Sequence, residues 1–97
     1  MTARFHRLVQ NDVWQVMRYY ARESGEKLAD DFYEEFLQSV RAAALNPEGF
    51  HFDPSGLRRV NLRRFPYHFL YRIRPGGIFV LVLRHDRRRP DYGLRRN

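Results

Sequence analysis

Cysteine is absent from the 97 residues, which excludes disulfide bonds and thiolate zinc sites within this sequence. Histidine is scarce and scattered, so we expect no bound metal and no cofactor. No apolar run approaches the roughly 18 residues of a membrane span. The N-terminus also lacks the apolar stretch of a signal peptide. These absences favour a cytoplasmic protein that does not bind a membrane.

Lysine is almost missing too, because Lys27 is the one lysine among 18 basic residues and the others are all arginine. Acidic residues are rare after Gly56: twelve basic residues there face only Asp86 and Asp91, a local charge of +10. Residues 1–56 hold six basic and nine acidic residues, a local charge of −3. This asymmetry predicts an anionic partner for the second half of the chain.

The first half reads as a strand followed by two helices. The chain of 97 residues, 43% of them hydrophobic, is expected to form one domain, residues 1–97. A strand is predicted over Arg4–Gln10. A helix follows, capped by Asn11 or by Asp12, which could form a capping box with Gln15. It ends at Ser24-Gly25.

A second helix is predicted over Glu26–Leu45, because Pro47 cannot continue it. Its aromatic stripe is expected in the core. Its acidic face is expected to be a solvated surface; this face carries Asp30, Asp31, Glu34 and Glu35. With only Ser24-Gly25 between them, the two helices should form an antiparallel hairpin.

The second half reads as a meander of three antiparallel strands, predicted over Leu57–Arg64, Tyr67–Arg74 and Ile78–Leu83. The last of these is apolar on both faces, which is typical of a central strand. It therefore needs the N-terminal strand as a second neighbour. We predict an α+β fold with a four-stranded sheet in the order first, fourth, third, second. The helices should cover one face of the sheet, and arginines should protect the edge strand.

This order of elements, together with two stretches of sequence, resembles the RelE/ParE superfamily of bacterial type II toxins, and ParE-like members most. The stretches are Arg64-Phe65-Pro66-Tyr67, with Tyr71 downstream, and the closing run from His85 to Tyr92. The resemblance implies a toxin that is silenced by an antitoxin in a hetero-oligomeric complex. ParE-like members include inhibitors of DNA gyrase. RelE-like members cut messenger RNA on the ribosome.

Carrying over the metal-free RelE-type nuclease site residue by residue leaves it incomplete. The residues that would serve are Arg59, His68, Arg87 and Tyr92. Asn61 and His68 stand where basic residues are expected, and Gly93 stands where RelE has tyrosine and ParE-like relatives have tryptophan. The resemblance therefore favours a toxin that binds its target over an enzyme, although an endoribonuclease remains the alternative.

Basic and aromatic residues near the end of the chain are the predicted target-binding set: Arg63, Arg72, His85, Arg87, Arg88, Arg89 and Tyr92. The same arginines would also suit an acidic segment of the antitoxin. A third possibility is a non-toxic module that binds nucleic acid through its positive charge. We expect the antitoxin to lie across apolar parts of the helical hairpin and the free edge of the sheet.

Overall fold

The computed structural model describes residues 2–97, and its element order confirms the α+β fold. One four-stranded sheet has the order β1-β4-β3-β2, as predicted, and a pair of helices packs on one of its faces. The elements are β1 (Thr2–Phe5), α1 (Val9–Ser24), α2 (Glu26–Leu45), β2 (Arg58–Asn61), β3 (Tyr67–Arg74) and β4 (Gly77–His85), with a short 3-10 helix at Pro47–Gly49.

The N-terminal strand is shorter than predicted, and helix α1 begins earlier. Val9 was assigned to the strand, but it is buried with Val13 and Val16 at helical spacing, so packing of this stripe favours helix from Val9 onward. The predicted capping role of Asp12 is wrong. Asp12 lies inside α1, 5% exposed, and the N-cap residue is Leu8, which makes no side-chain cap hydrogen bond.

Strand β4 occupies the centre of the sheet, as its two apolar faces predicted. It pairs in parallel with β1 and antiparallel with β3. Gly77 lies where β1 crosses closest: a Cβ atom there would stand 1.9 Å from the carbonyl oxygen of Thr2. Glycine is therefore required for β1 to reach its pairing position.

The face of the sheet that contacts the helices, called the helix face, holds the main apolar core. Phe69, Tyr71 and Val80 point into it and meet Phe32 and Phe36 of α2. All five side chains are 3% exposed or less. At roughly 2 kcal/mol per buried large apolar side chain, these contacts provide the main driving force for the fold.

The acidic face of α2 is only partly the solvated surface that was predicted. Glu35 accepts hydrogen bonds from the backbone N–H groups of Arg63 and Arg64, and Asp31 lies 3.5 Å from the Arg64 guanidinium. These contacts hold the bend after β2. The strand ends at Asn61, whereas the sequence predicted an end at Arg64.

The opposite side of the sheet, called the far face, carries a second and smaller apolar cluster. Leu70, Leu81 and Val82 are buried there beneath Tyr92 and Leu94. The residues from Arg89 to Asn97, called the C-terminal segment, therefore cover part of the far face. None of the helices within residues 2–97 combines the length and the apolar character needed to cross a membrane.

Candidate functional site

A chain of polar contacts crosses the far face from the middle of β2 to the end of β4. Arg84 Nε donates to His68 Nε2 at 2.9 Å, and His68 Nδ1 lies 2.8 Å from Asp86 Oδ1. Arg59 reaches both Asp86, at 3.6 Å, and Asp53, at 3.5 Å. Two aspartates thus hold two arginines and one histidine in place.

His68, a candidate for proton transfer, is enclosed in this network. Its side chain is 1% exposed, and both ring nitrogens already have partners. Burial lowers the pKa of His68 below 6.5, and the nearby Arg59 and Arg84 guanidinium groups lower it further against the opposing effect of Asp86. At neutral pH the imidazole is therefore neutral, accepting from Arg84 and donating to Asp86.

Arg84 also anchors the C-terminal segment. Its Nη1 donates to the carbonyl oxygens of Pro90, at 2.8 Å, and Tyr92, at 2.9 Å. Gly93 follows with a φ of +81°, and a Cβ atom there would stand 2.5 Å from Val82. The resemblance led us to expect tyrosine or tryptophan at position 93. The glycine there has a physical reason, because a larger residue would lift the segment from the sheet.

A second anchor joins the end of the chain to helix α1. Arg96 forms a two-pronged ion pair with Asp12, at 2.6 and 2.9 Å, and this hydrogen bonding raises the pKa of Arg96. The same carboxylate accepts the backbone N–H of Leu83 at 3.1 Å. Asp12 therefore ties together the first helix, the central strand and the C-terminus.

Three of the predicted target-binding residues come together beside α1. His85, Arg88 and Tyr92 line a pocket of about 200 Å³ with Tyr19 and Tyr67. The Arg88 guanidinium lies 3.9 Å from the Tyr92 ring centre, and the Tyr67 and His85 rings meet edge to face at 5.0 Å. The pocket combines aromatic surfaces with one exposed cation.

The other four members of that set are dispersed. Arg63 borders a cleft lined by acidic residues of α2, whereas Arg72 lies on the far face. Arg87 is exposed in the turn after β4, and Arg89 pairs with Asp91 at 3.6 Å on the other side of the C-terminal segment. The predicted set is therefore several surfaces rather than one continuous patch.

The nuclease candidates are likewise divided between interior and surface. Arg59 and His68 belong to the far-face network, Arg87 is exposed, and the Tyr92 ring lies beneath Arg88. Within residues 2–97, no group of three or more side chains of the metal-binding types is placed to hold a metal ion.

Sequence reasoning missed the residues that build these anchors, namely Asp12, Asp53, Arg84 and Arg96. The sequence held one signal for Arg84: it directly follows the apolar run of the predicted central strand, Ile78–Leu83. Asp12 and Arg96 are 84 positions apart, and nothing local indicates their pairing.

An apolar groove lies on the helix side of the molecule, between the end of β1 and the two helices. Its volume is about 500 Å³. Phe5, Trp14 and Tyr33 contribute to it and remain 41%, 53% and 41% exposed. Such exposure of large rings in one place is typical of a surface that a partner covers.

Comparison of the fold with solved structures finds the same architecture in a toxin–antitoxin system. The match is to a chain of the chromosomal ParDE TA system from P. aeruginosa, with a TM-score of 0.75 and 19% sequence identity. It covers 88% of this chain and 95% of that one. This chain has a ParE-like fold. No protein-family model and no curated protein matches the sequence.

Proposed function

We propose that this chain is the ParE-like toxin of a type II toxin–antitoxin system, acting in the cytoplasm. The observation that carries the proposal is the shared fold with a chain of the chromosomal ParDE TA system, extending over 88% of this sequence. The stretch from Arg64 to Tyr92 resembles ParE-like toxins in sequence, which supports the same conclusion. The toxin arrests growth by binding a cellular target such as DNA gyrase.

The state of the nuclease candidates supports binding over cutting. A general base must reach the 2′-hydroxyl of its substrate, and His68 is buried with both nitrogens engaged. Arg59 is tied to Asp53, Asp86 and the side chain of Asn61. A substrate phosphate would have to displace these partners first.

Two assays on the purified chain test the proposal. We expect it to inhibit supercoiling of relaxed plasmid by DNA gyrase and to leave messenger RNA intact in a translating-ribosome assay. Defined cuts in the message, without an effect on gyrase, would overturn the proposal and establish the ribonuclease alternative. Normal growth after induced expression of the chain would contradict the proposal that it is a toxin.

The variant Arg87→Ala tests whether the turn after β4 contacts the target. Arg87 is exposed and forms no ion pair within residues 2–97, so its loss should leave the fold unchanged. We expect weaker growth arrest, with Arg41→Ala on the outer side of α2 as the matched control. Equal growth arrest by Arg87→Ala and the unaltered chain would exclude this turn from the target site.

The antitoxin is proposed to cover the groove formed by Phe5, Trp14 and Tyr33. A non-obligate partner gains most from desolvating large rings, and three of them converge there. The nearby outer edge of β1 pairs with no strand among the described residues, so it offers backbone hydrogen bonds to the same partner.

Coexpression with the neighbouring reading frame tests this docking site. We expect Trp14→Glu to abolish neutralisation by that protein while growth arrest persists. The control Leu45→Glu places the same charge on an exposed apolar side chain of α2 outside the groove. Full neutralisation of the Trp14 variant would place the antitoxin elsewhere.

A further inference from the structure

A group of arginines on the far face surrounds one aromatic ring. In the register of the sheet, Phe79 on β4 lies opposite Arg4 on β1 and opposite Arg72 on β3. Directly opposed residues point to the same side, so both arginines flank the ring. Neighbouring strands are about 4.8 Å apart, which places the two arginine backbones about 10 Å from one another.

A third arginine lies over the ring. The Arg74 guanidinium is 4.5 Å from the Phe79 ring centre, and Arg74 follows Arg72 by two positions on the same face of β3. Phe79 is half-buried, whereas all three arginines are exposed. Arg74 thus extends the aromatic surface with a flat, charged and solvent-facing layer.

None of these arginines is neutralised within the described part of the chain. Arg4, Arg72 and Arg74 form no ion pair there, in contrast to Arg59 and Arg84 on the same face. Two acids of this face, Asp53 and Asp86, are already engaged by those two residues, and Asp91 in the C-terminal segment pairs with Arg89. Three unpaired cations around one platform therefore remain available for an anion.

The cationic surface continues past β1. The ring of His6 meets the edge of Phe79 with centres 6.3 Å apart, and His6 lines a cleft of about 720 Å³ with Arg7 and Arg95. Burial, together with Arg96 and Arg7, lowers the pKa of His6. Five arginines and Phe79 thus form one track, called the arginine track: Arg4, Arg7, Arg72, Arg74, Arg95.

We propose that the arginine track binds single-stranded nucleic acid. Its cations would contact successive phosphates while a base stacks on the guanidinium layer above Phe79. Positive grooves with stacking platforms are the usual design of sequence-tolerant single-strand sites. A duplex cannot present a base face to this platform, and an acidic peptide would make no use of it. The activity goes beyond the toxin proposal and does not depend on it.

Salt-dependent binding of a fluorescent 20-nucleotide oligo-dT to the full chain tests the proposal. Each phosphate contact contributes about −0.7 to the slope of log affinity against log salt concentration. We expect Arg4→Gln/Arg74→Gln to reduce the steepness by about 1.4. The control Arg18→Gln/Arg22→Gln removes the same charge from α1 and should keep the slope.

A conservative variant separates stacking from charge. Arg74→Lys keeps the positive charge but removes the flat layer, so the slope should persist while affinity falls about fivefold or more. Equal losses in the Gln double variant and its α1 control would overturn the proposal. So would equally tight binding of a duplex of the same charge, or displacement of the oligo-dT by an equivalent concentration of poly-glutamate, which would indicate an acidic protein partner.

Discussion

The two faces of the sheet are held by different physics. On the helix face, Phe32 and Phe69 pack in an apolar core with 0% exposure. On the far face, Arg84, His68 and Asp86 form a hydrogen-bonded chain beneath the C-terminal segment. The helix face contributes stability through dehydration of apolar surface. The far face contributes a defined position for the end of the chain.

The arginines also fall into two groups, one buried and paired and the other exposed. Arg84 and Arg96 have side chains 4% and 10% exposed, and each satisfies several donors within the chain. Arg72, Arg74 and Arg87 are exposed and unpaired among the described residues. A run of like charge in the sequence therefore contains two populations, one that builds the fold and one that is free to meet a partner.

The largest effect on stability is expected from a substitution in the apolar core of the helix face. Phe32→Ala should lower the free energy of unfolding by about 3–5 kcal/mol, because a fully buried ring leaves a cavity between α2 and the sheet. Equilibrium urea denaturation measures the change. The neighbouring Tyr33→Ala, at a position 41% exposed, should cost about 1 kcal/mol or less. Similar losses for both would mean that the core is not where the apolar contacts place it.

The next largest effect is expected from the ion pair between Asp12 and Arg96, which joins α1 to the C-terminal segment. Asp12→Ala should cost about 3 kcal/mol, because it leaves a buried guanidinium and the Leu83 N–H without their partner. Amide hydrogen exchange at Leu83 should quicken. In Asp12→Ala/Arg96→Met the unpaired charge is gone, so part of the stability should return.

The exposed pair Arg22–Glu23 is the control for that experiment. Its two side chains are 69% and 55% exposed, so Glu23→Ala should change stability by less than about 1 kcal/mol. If Asp12→Ala/Arg96→Met is no more stable than Asp12→Ala, the loss of stability does not come from an unpaired guanidinium.

The smallest effect is a pH dependence of stability from His68. Its pKa is lowered in the folded chain, so the unfolded chain takes up a proton that the folded chain resists. The free energy of unfolding should hold above about pH 6.5 and decline as the pH falls below that value. Urea denaturation between about pH 7 and pH 5 measures the decline.

His68→Gln should flatten this decline, leaving the part that arises from His6, whose pKa is lowered in the same direction. His51→Gln, at an exposed position, should retain it in full. An unchanged pH profile in His68→Gln would show that the network tolerates a charged imidazole.

Much of the fold follows from patterns that span a few residues. The second helix was predicted with both of its ends, Glu26 and Leu45, because an aromatic stripe and Pro47 define it locally. The start of α1 was misplaced because Leu8 and Val9 suit a strand or a helix equally well. Asp12 was read as a cap because its type fits one, whereas its partner lies 84 positions away.

The candidate site was predicted less completely than the fold. His68 lies with Arg72 on the face of β3 away from the helices. Its burial was not foreseen, because it depends on Arg84, Asp86 and the C-terminal segment. His85, Arg88 and Tyr92 were named together and do share a pocket. Arg63 was named with them and lies beside α2 instead.

By itself the sequence determined the element types, the central position of β4 and the excess of positive charge in the second half. These depend on periodicity, on turn residues and on composition, all of which act over short distances along the chain. Only the tertiary structure decided which arginines are neutralised. A charge is buried or free according to the carboxylates and carbonyls that folding brings next to it, as Asp12 is brought to Arg96.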